Sequence, residues 1–444
     1  MSNFQFSNQI TADSVHSTLD KYILADGYDL VLDIYESKDG FLKDKRSNRQ
    51  ILDMFTCYAS MPLGFNHHKL WDKDFIEYIG KVALNKPSNS DIYTEEKATF
   101  VETFFKLAVP DGFKYSFFVE GGALAVENAL KVAFDWKVQK NFKKGYQSET
   151  GTKVLHFKEA FHGRTGYTMS LTNTEDKKIK YFPKFDWPRV DTPKLIFPIE
   201  ENNDENIARE NEIKSQIEKC FIENKDEIAC IIIEPIQGEG GDNHFSNEFF
   251  KFLRMMADEY DALLIFDEVQ TGVGLTGTMW YAEQLPINPD IIAFGKKMQV
   301  CGIIVGDKID DIDTHVFRQS SRINSTWGGN LTDMVRATRY LEIINEEQLL
   351  INVLKQGDFL HSLLLALKME FPDLISNVRG KGLFRAVDIK PEIRDKFIKE
   401  CYAQNLLILS CGKQSIRFRP PLNVTKDNIE LGIDTIRKSL QKLK

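Results

Sequence analysis

The chain has 444 residues, 42% of them apolar and 27% charged, enough for two domains and a sizeable core. Its 57 basic residues against 65 acidic ones give a net charge of −8, which argues against a nucleic-acid-binding surface. No apolar run approaches the ~18 residues of a membrane span. The polar start MSNFQFSNQITADS has no features of a secretory signal, and the six cysteines show no CxxC spacing, as expected of reduced thiols in a cytoplasmic protein.

Residues 14–22 read as a short helical start, and 30–35 and 51–55 as strands. A loop of small and turn-forming residues, 58–67, follows. The adjacent His67 and His68 have no carboxylate or cysteine at helical spacing, so a surface or capping role is expected rather than a metal site. Residues 95–108 form an amphipathic pattern, and 115–119 a strand. Glu120-Gly121-Gly122-Ala123 then opens a helix over 124–137. Strand, glycine pair and helix is the arrangement whose free backbone N–H groups receive a phosphate, although a plain tight turn has the same signature. The polar, basic stretch 138–152 reads as a solvated loop, and 154–157 as a strand leading to Phe161-His162-Gly163-Arg164.

The acidic and amide-rich stretch 200–220 reads as a loop followed by a helix. A buried strand over 228–233 runs into Glu234-Pro235-Ile236-Gln237-Gly238-Glu239, and Ser246 is placed to cap a helix over 247–260. Two further apolar runs carry the strongest chemical signal. Residues 262–266 stop at Asp267-Glu268, and 291–294 stop at Gly295-Lys296-Lys297. Short apolar runs ending in charged residues read as buried parallel strands, whose C-terminal ends are where α/β proteins place their chemistry. Aspartate and lysine are also the residue types that pyridoxal phosphate requires: the amine forms the Schiff base and a carboxylate keeps the pyridine nitrogen protonated. Beyond residue 331 the chain reads as helical to 371. Strands over 378–389, a helix over 391–404, strands at 406–410 and 415–418, and a final helix capped by Thr425 complete it.

The pattern hydrophobic-Asp267-Glu268-Val269-x-x-Gly-x-Gly, followed by Asp290-Ile-Ile-x-x-Gly295-Lys296, resembles the signature of the class III pyridoxal-phosphate-dependent aminotransferases. The resemblance implies an α/β fold of type I, with a mostly parallel seven-stranded sheet in a large domain (61–335). A small α/β domain (336–444) would be joined by the N-terminal segment (1–60). It implies Lys296 as the Schiff-base lysine and Asp267 as the partner of the pyridine nitrogen. Lys297 is the adjacent rival, pointing the opposite way if this is a strand end. Gly122 and Ala123 become backbone donors to the phosphate, Phe161 the ring stacked on the cofactor, and Gln270 the partner of its phenolic oxygen. Glu234 is placed beside the cofactor. Ser325 and Thr326 match a segment that reaches the phosphate across a dimer interface, with Asn324 as a substrate contact.

For substrate, the resemblance implies that Arg164 binds a carboxylate and that Glu239 gates a second arginine, Arg417, with Arg419 as an extra one. The segments FVEGGALAVENAL, AFHGRTGYTMSLTNT, EPIQGEGGD, DEVQTGVGLTG and AFGKKMQVCG are most similar to family members acting on the ε-amino group of L-lysine. Their acceptor is 2-oxoglutarate, and the products are 2-aminoadipate 6-semialdehyde, which cyclises, and glutamate, by a ping-pong mechanism. GABA and ornithine are the alternative donors, and mutase or decarboxylase chemistry the alternative reaction. The expected assembly is a homodimer with shared active sites. Neither metal, iron–sulfur cluster, nucleic acid nor membrane is expected as a partner.

Overall fold

The computed structural model describes residues 6–443. In chain order its first strands are β1 (Phe41–Lys43), β2 (Gln50–Asp53), β3 (Phe113–Val119), β4 (Lys153–Phe157) and β5 (Arg189–Val190). Next come β6 (Ile228–Ile233), β7 (Leu263–Asp267), β8 (Ile291–Phe294) and β9 (Cys301–Gly306). The C-terminal part adds β10 (Ile375–Lys381), β11 (Phe384–Ile389), β12 (Leu406–Leu407), β13 (Leu409–Cys411) and β14 (Ser415–Phe418).

A seven-stranded sheet with order β3-β9-β8-β7-β6-β4-β5 forms the centre. The strands from β8 to β5 are mutually parallel, and β9 runs antiparallel to both β3 and β8. The expected α/β fold with a mostly parallel sheet is therefore present. The apolar runs of β6, β7 and β8 explain why it forms. Ile231, Ile233, Leu264, Phe266, Ile292 and Phe294 fill one core, while Cys230, Ile232, Leu263, Ile265, Ile291 and Ala293 fill the other. Side chains alternate across a strand, so an uninterrupted apolar run supplies both faces at once. Full burial of each such aliphatic side chain contributes about 1.5–3 kcal/mol. The helix Gly122–Lys143 covers one face through Val126, Leu130 and Trp136. The helix Asn247–Glu259 covers the other through Phe249, Phe250 and Leu253. Ser246 caps the latter as expected, its Oγ accepting from the Phe249 N–H at 2.9 Å.

Two smaller sheets flank this centre. One is antiparallel, β10-β11-β14-β13; the other is β1-β2-β12, in which β12 pairs parallel to β2 across the length of the chain. The helices Leu331–Glu346 and Leu349–Glu370 are separate, because Gln348 takes a left-handed conformation (φ 50°) between them. Among the described residues no helix is long and apolar enough to cross a membrane.

Three local expectations need correction. Residues 30–35 form no strand, only a single bridge from Leu32 to Asp44. The stretch 138–152 is not wholly loop, since the helix runs on to Lys143. Most of its side chains are exposed as expected, but Asn141 is buried, as is Lys137 just before it. The buried Lys137 ammonium donates to the carbonyls of Tyr260 (2.8 Å) and Asp261 (2.9 Å), and Asn141 donates to those of Thr150 and Asp226. Lys296 and Lys297 lie not on a strand end but in the 3-10 turn Lys296–Met298. His67 takes the expected capping role at the turn His68–Leu70, and its buried ring also sits 3.2 Å from the sequence-distant Glu347. Lys69 Nζ, 3.3 Å from the same carboxylate, already supplies a cation there.

Candidate active site

Parallel strands present their C-terminal ends on one side of a sheet, and here that side opens on a cavity of about 350 Å³. β4 leads to Phe161, β6 to Glu234, β7 ends at Asp267, and β8 leads to Lys296; all four residues line the cavity. Gly122, Ala123, Glu239 and Gln270 complete the set of expected residues found there.

Asp267 is 5% exposed. It accepts from the Val269 N–H at 3.1 Å and lies 2.8 Å from His162 Nδ1. With a carboxylate as partner, Nδ1 carries the proton and Nε2 is left as a buried acceptor without a partner. His162 stands in the loop recognised from sequence, yet its role was not readable there, because its partner lies 105 residues away. The Glu234 carboxylate, fully buried, accepts from the Phe161 N–H (2.8 Å) and the Gly238 N–H (3.0 Å). Burial pushes its carboxyl up to about 7. Glu234 thus fixes the backbone that presents the Phe161 ring.

Lys296 is held at φ 47°, an uncommon conformation for a side chain-bearing residue. Burial, reinforced by the Arg417 charge, pushes its ammonium down to about 8. The neighbouring Lys297 is turned away from the cavity, donating to the carbonyl oxygens of Gln270 (2.7 Å) and Ala59 (3.3 Å). Its role is structural.

Glu239 carries two cations. Arg417 Nη2 lies 2.7 Å from Oε2, as the expected gate requires, and Lys178 Nζ lies 2.8 Å from Oε1. Burial alone would raise this carboxyl, but the Arg417 and Lys178 charges outweigh it and hold it at about 2. Lys178 was not selected from sequence, since only the fold brings it to Glu239. Arg419 is occupied elsewhere: it pairs with Asp242 at 2.6 Å, donates to Gln270 Oε1 at 3.0 Å, and stacks 3.3 Å over the Phe384 ring.

The remaining expected residues are not at the cavity wall. Arg164 is exposed, its guanidinium 5.8 Å from the Phe161 ring centre, with no ion pair among the described residues. Asn324 lines a separate cavity of about 640 Å³. The Ser325 and Thr326 carbonyls are held by the hydroxyls of Ser90 and Ser88, away from Lys296's cavity. Within one chain these three residues therefore do not join the site.

Residues 23–440 match the family model described as aminotransferase class-III. The chain belongs to that family. The L-lysine-epsilon aminotransferase of Mycobacterium tuberculosis is 48% identical over 432 residues, covering 97% of this chain and 96% of the relative. The 4-aminobutyrate aminotransferase of Schizosaccharomyces pombe is 34% identical over 421 residues, covering 90% and 87%. A solved structure, the lysine aminotransferase of M. tuberculosis in the internal aldimine form, superposes with a TM-score of 0.96 at 47% identity, over 98% of this chain and 100% of that one.

This class III aminotransferase is a pyridoxal-phosphate enzyme. Its own residues fit the cofactor. The cavity combines an amine pushed below its ordinary titration range by burial, a buried carboxylate, an aromatic ring and the N-terminus of a 22-residue helix. That helix start is tightly supported: Gly121 has φ 112°, and a Cβ on Gly163 would lie 2.4 Å from Ala123 Cβ. A side chain at Gly163 would displace Ala123 and with it the start of this helix.

Proposed function

We propose that this aminotransferase moves the ε-amino group of L-lysine to 2-oxoglutarate by a ping-pong mechanism, giving 2-aminoadipate 6-semialdehyde and glutamate. The observation that carries the reading is that Glu239, on the wall of the Lys296 cavity, is paired with Arg417 behind it. The 48% identity to an L-lysine-epsilon aminotransferase, against 34% to a 4-aminobutyrate enzyme, supports lysine over GABA as donor.

Pyridoxal phosphate, when bound, supplies the electron sink for the carbon that bears the amine. Lys296 would hold it covalently and, once released by the incoming amine, carry the proton between that carbon and the cofactor. Asp267, oriented by His162, keeps a negative charge at the pyridine nitrogen. Gly122 and Ala123 donate N–H groups to the phosphate, Phe161 stacks on the ring, and Gln270 meets the phenolic oxygen. In a homodimer, Ser325 and Thr326 would complete the phosphate site of the second subunit, with Asn324 near substrate. In one chain Asn324 and Thr326 are exposed and Ser325 half-buried, which accords with that reading. Arg164 would take the α-carboxylate of lysine. The pairing of β2 with β12 supports an N-terminal segment (1–60) that joins a small domain (336–444) beside a large one (61–335). The free cysteines suit a cytoplasmic location.

One site must accept a cationic amine donor and then a dianionic oxo acid. Paired with Glu239, Arg417 is masked; when the pair opens, it is free for the second carboxylate. Lys178 gives Glu239 somewhere to stay in the open state. Replacing Lys178 by Met should therefore make opening harder and raise the KM for 2-oxoglutarate about tenfold, equivalent to about 1.4 kcal/mol. The amine half-reaction should change much less. Glu239→Gln should do the reverse, impairing the lysine half-reaction more than the glutamate one; equal losses in both halves would count against gating.

The substrate is tested by mixing the holoenzyme with L-lysine, L-ornithine or GABA without an oxo acid and following the cofactor absorbance. Rapid bleaching with lysine, reversed by 2-oxoglutarate, is expected. Faster bleaching by GABA or ornithine would overturn the donor, and absence of cofactor absorbance would overturn the enzyme reading.

A further inference from the structure

A second cavity, of about 340 Å³, lies where residues 197–200 meet the β10–β11 hairpin, and it shares no lining residue with the catalytic one. Its wall is strongly basic: Arg379, Arg385, Lys368 and Lys381 line it with His244 and His361, against one acid, Glu200.

Arg379 is neutralised by Asp388 at 2.8 Å. Arg385 is not comparably matched. Its side chain is 6% exposed, and its only ion-pair partner among the described residues is Asp358 at 3.5 Å, which is itself 86% exposed. The guanidinium otherwise donates to the carbonyls of Gly382 (2.8 Å) and Gly380 (3.1 Å). Buried charges are ordinarily paired with an opposite charge, because leaving water costs several kcal/mol per ion. Loss of solvent pushes Arg385 down to about 10, in keeping with a cation short of a counter-ion. His244 is 4% exposed and its Nε2 has no hydrogen-bond partner; His361 Nδ1 is likewise buried and unpartnered. Among the described residues, Lys368 and Lys381 have no carboxylate within ion-pair distance.

We propose that this cavity binds a small dianion from solution, a phosphate group or a dicarboxylate, with Arg385 as its buried anchor and Lys368 and Lys381 at its rim. A guanidinium presents paired N–H donors to an oxyanion, the lysines supply the second charge, and the unpartnered imidazole nitrogens accept or donate as the ligand's protonation requires. One ligand would thereby satisfy several polar groups that the chain leaves unmatched.

The test uses holoenzyme, whose catalytic phosphate subsite is filled by the cofactor. Inorganic phosphate and succinate are titrated calorimetrically at fixed ionic strength, with chloride as the blank. Because succinate also fits the substrate site at Arg417, only binding that responds to substitutions in the second cavity is counted. Saturable binding of at least one of them is expected, and Lys368→Ala/Lys381→Ala should weaken it about tenfold or more, on the scale of one charged hydrogen bond. Both lysines lie at the rim, so this variant keeps its core. Arg385→Gln should remove the binding altogether, provided its circular dichroism matches the parent. Which of the two anions binds decides between the phosphate and the dicarboxylate. Binding of neither, or binding unchanged in the double lysine variant, would overturn the proposal.

Discussion

Lys296→Ala lowers turnover about 10⁴-fold while the fold is retained, the scale expected when a positioned proton carrier is removed. The side chain occupies the cavity without supporting its neighbours, whereas Lys297 holds the backbone carbonyls of Gln270 and Ala59. The two substitutions therefore separate. Lys297→Ala should cost about 1–3 kcal/mol of stability, because it leaves buried carbonyls unmatched, yet retain the covalent attachment. Borohydride treatment of the holoenzyme followed by peptide mass spectrometry reads this directly: the cofactor mass should appear on Lys296 in the parent and in Lys297→Ala, and be absent in Lys296→Ala. A mark on Lys297 would reverse the assignment. The pH dependence has a defined sign as well. The free amine titrates at about 8 because burial disfavours its charged form, so its reactivity toward an acylating reagent in cofactor-free protein should rise through that pH. An unperturbed lysine would require about 10.4.

What could be read from the chain and what could not divide along a physical line. Lys296, Asp267, Glu234 and Phe161 follow short apolar runs, and a parallel sheet sends the ends of such runs to one side whatever the details of packing. Their convergence on one cavity is therefore a consequence of local pattern. His162 and Asp267, Lys178 and Glu239, and His67 and Glu347 are pairs of another kind, 105, 61 and 280 residues apart. No periodicity carries such information; only the crossover connections that stack the strands bring these side chains together. The same holds for Asn141, whose polar surroundings suggested solvent until the fold supplied carbonyls for it to bind. Arg164 shows the reverse case. Its loop is recognisable, but in one chain its side chain is exposed and lies over the Phe161 ring 5.8 Å from its centre. A residue whose proposed ligand is a substrate has little within its own chain to fix it.

Asp267→Asn should reduce kcat about 10³-fold with little change in Tm. The asparagine keeps the shape of the β7 terminus and can still accept from the Val269 N–H, as the aspartate does at 3.1 Å. What disappears is the negative charge in a water-poor site, where one preorganised electrostatic partner is worth about 10²–10³ in rate. His162→Gln leaves that charge in place but removes the imidazole 2.8 Å from it, so the carboxylate loses its orientation rather than its sign. A smaller loss is expected, about 10²-fold, as for a misplacement of about 1 Å. The cofactor spectrum distinguishes the two roles. Asp267→Asn should change the band of the bound cofactor, because the ring is no longer held protonated, while His162→Gln should leave the band close to the parent's and lower kcat alone. If both variants altered the spectrum equally, His162 would be sharing the charge rather than positioning it. If neither did, the carboxylate at the end of β7 would not be the partner of the ring nitrogen, and its burial beside His162 would need another explanation.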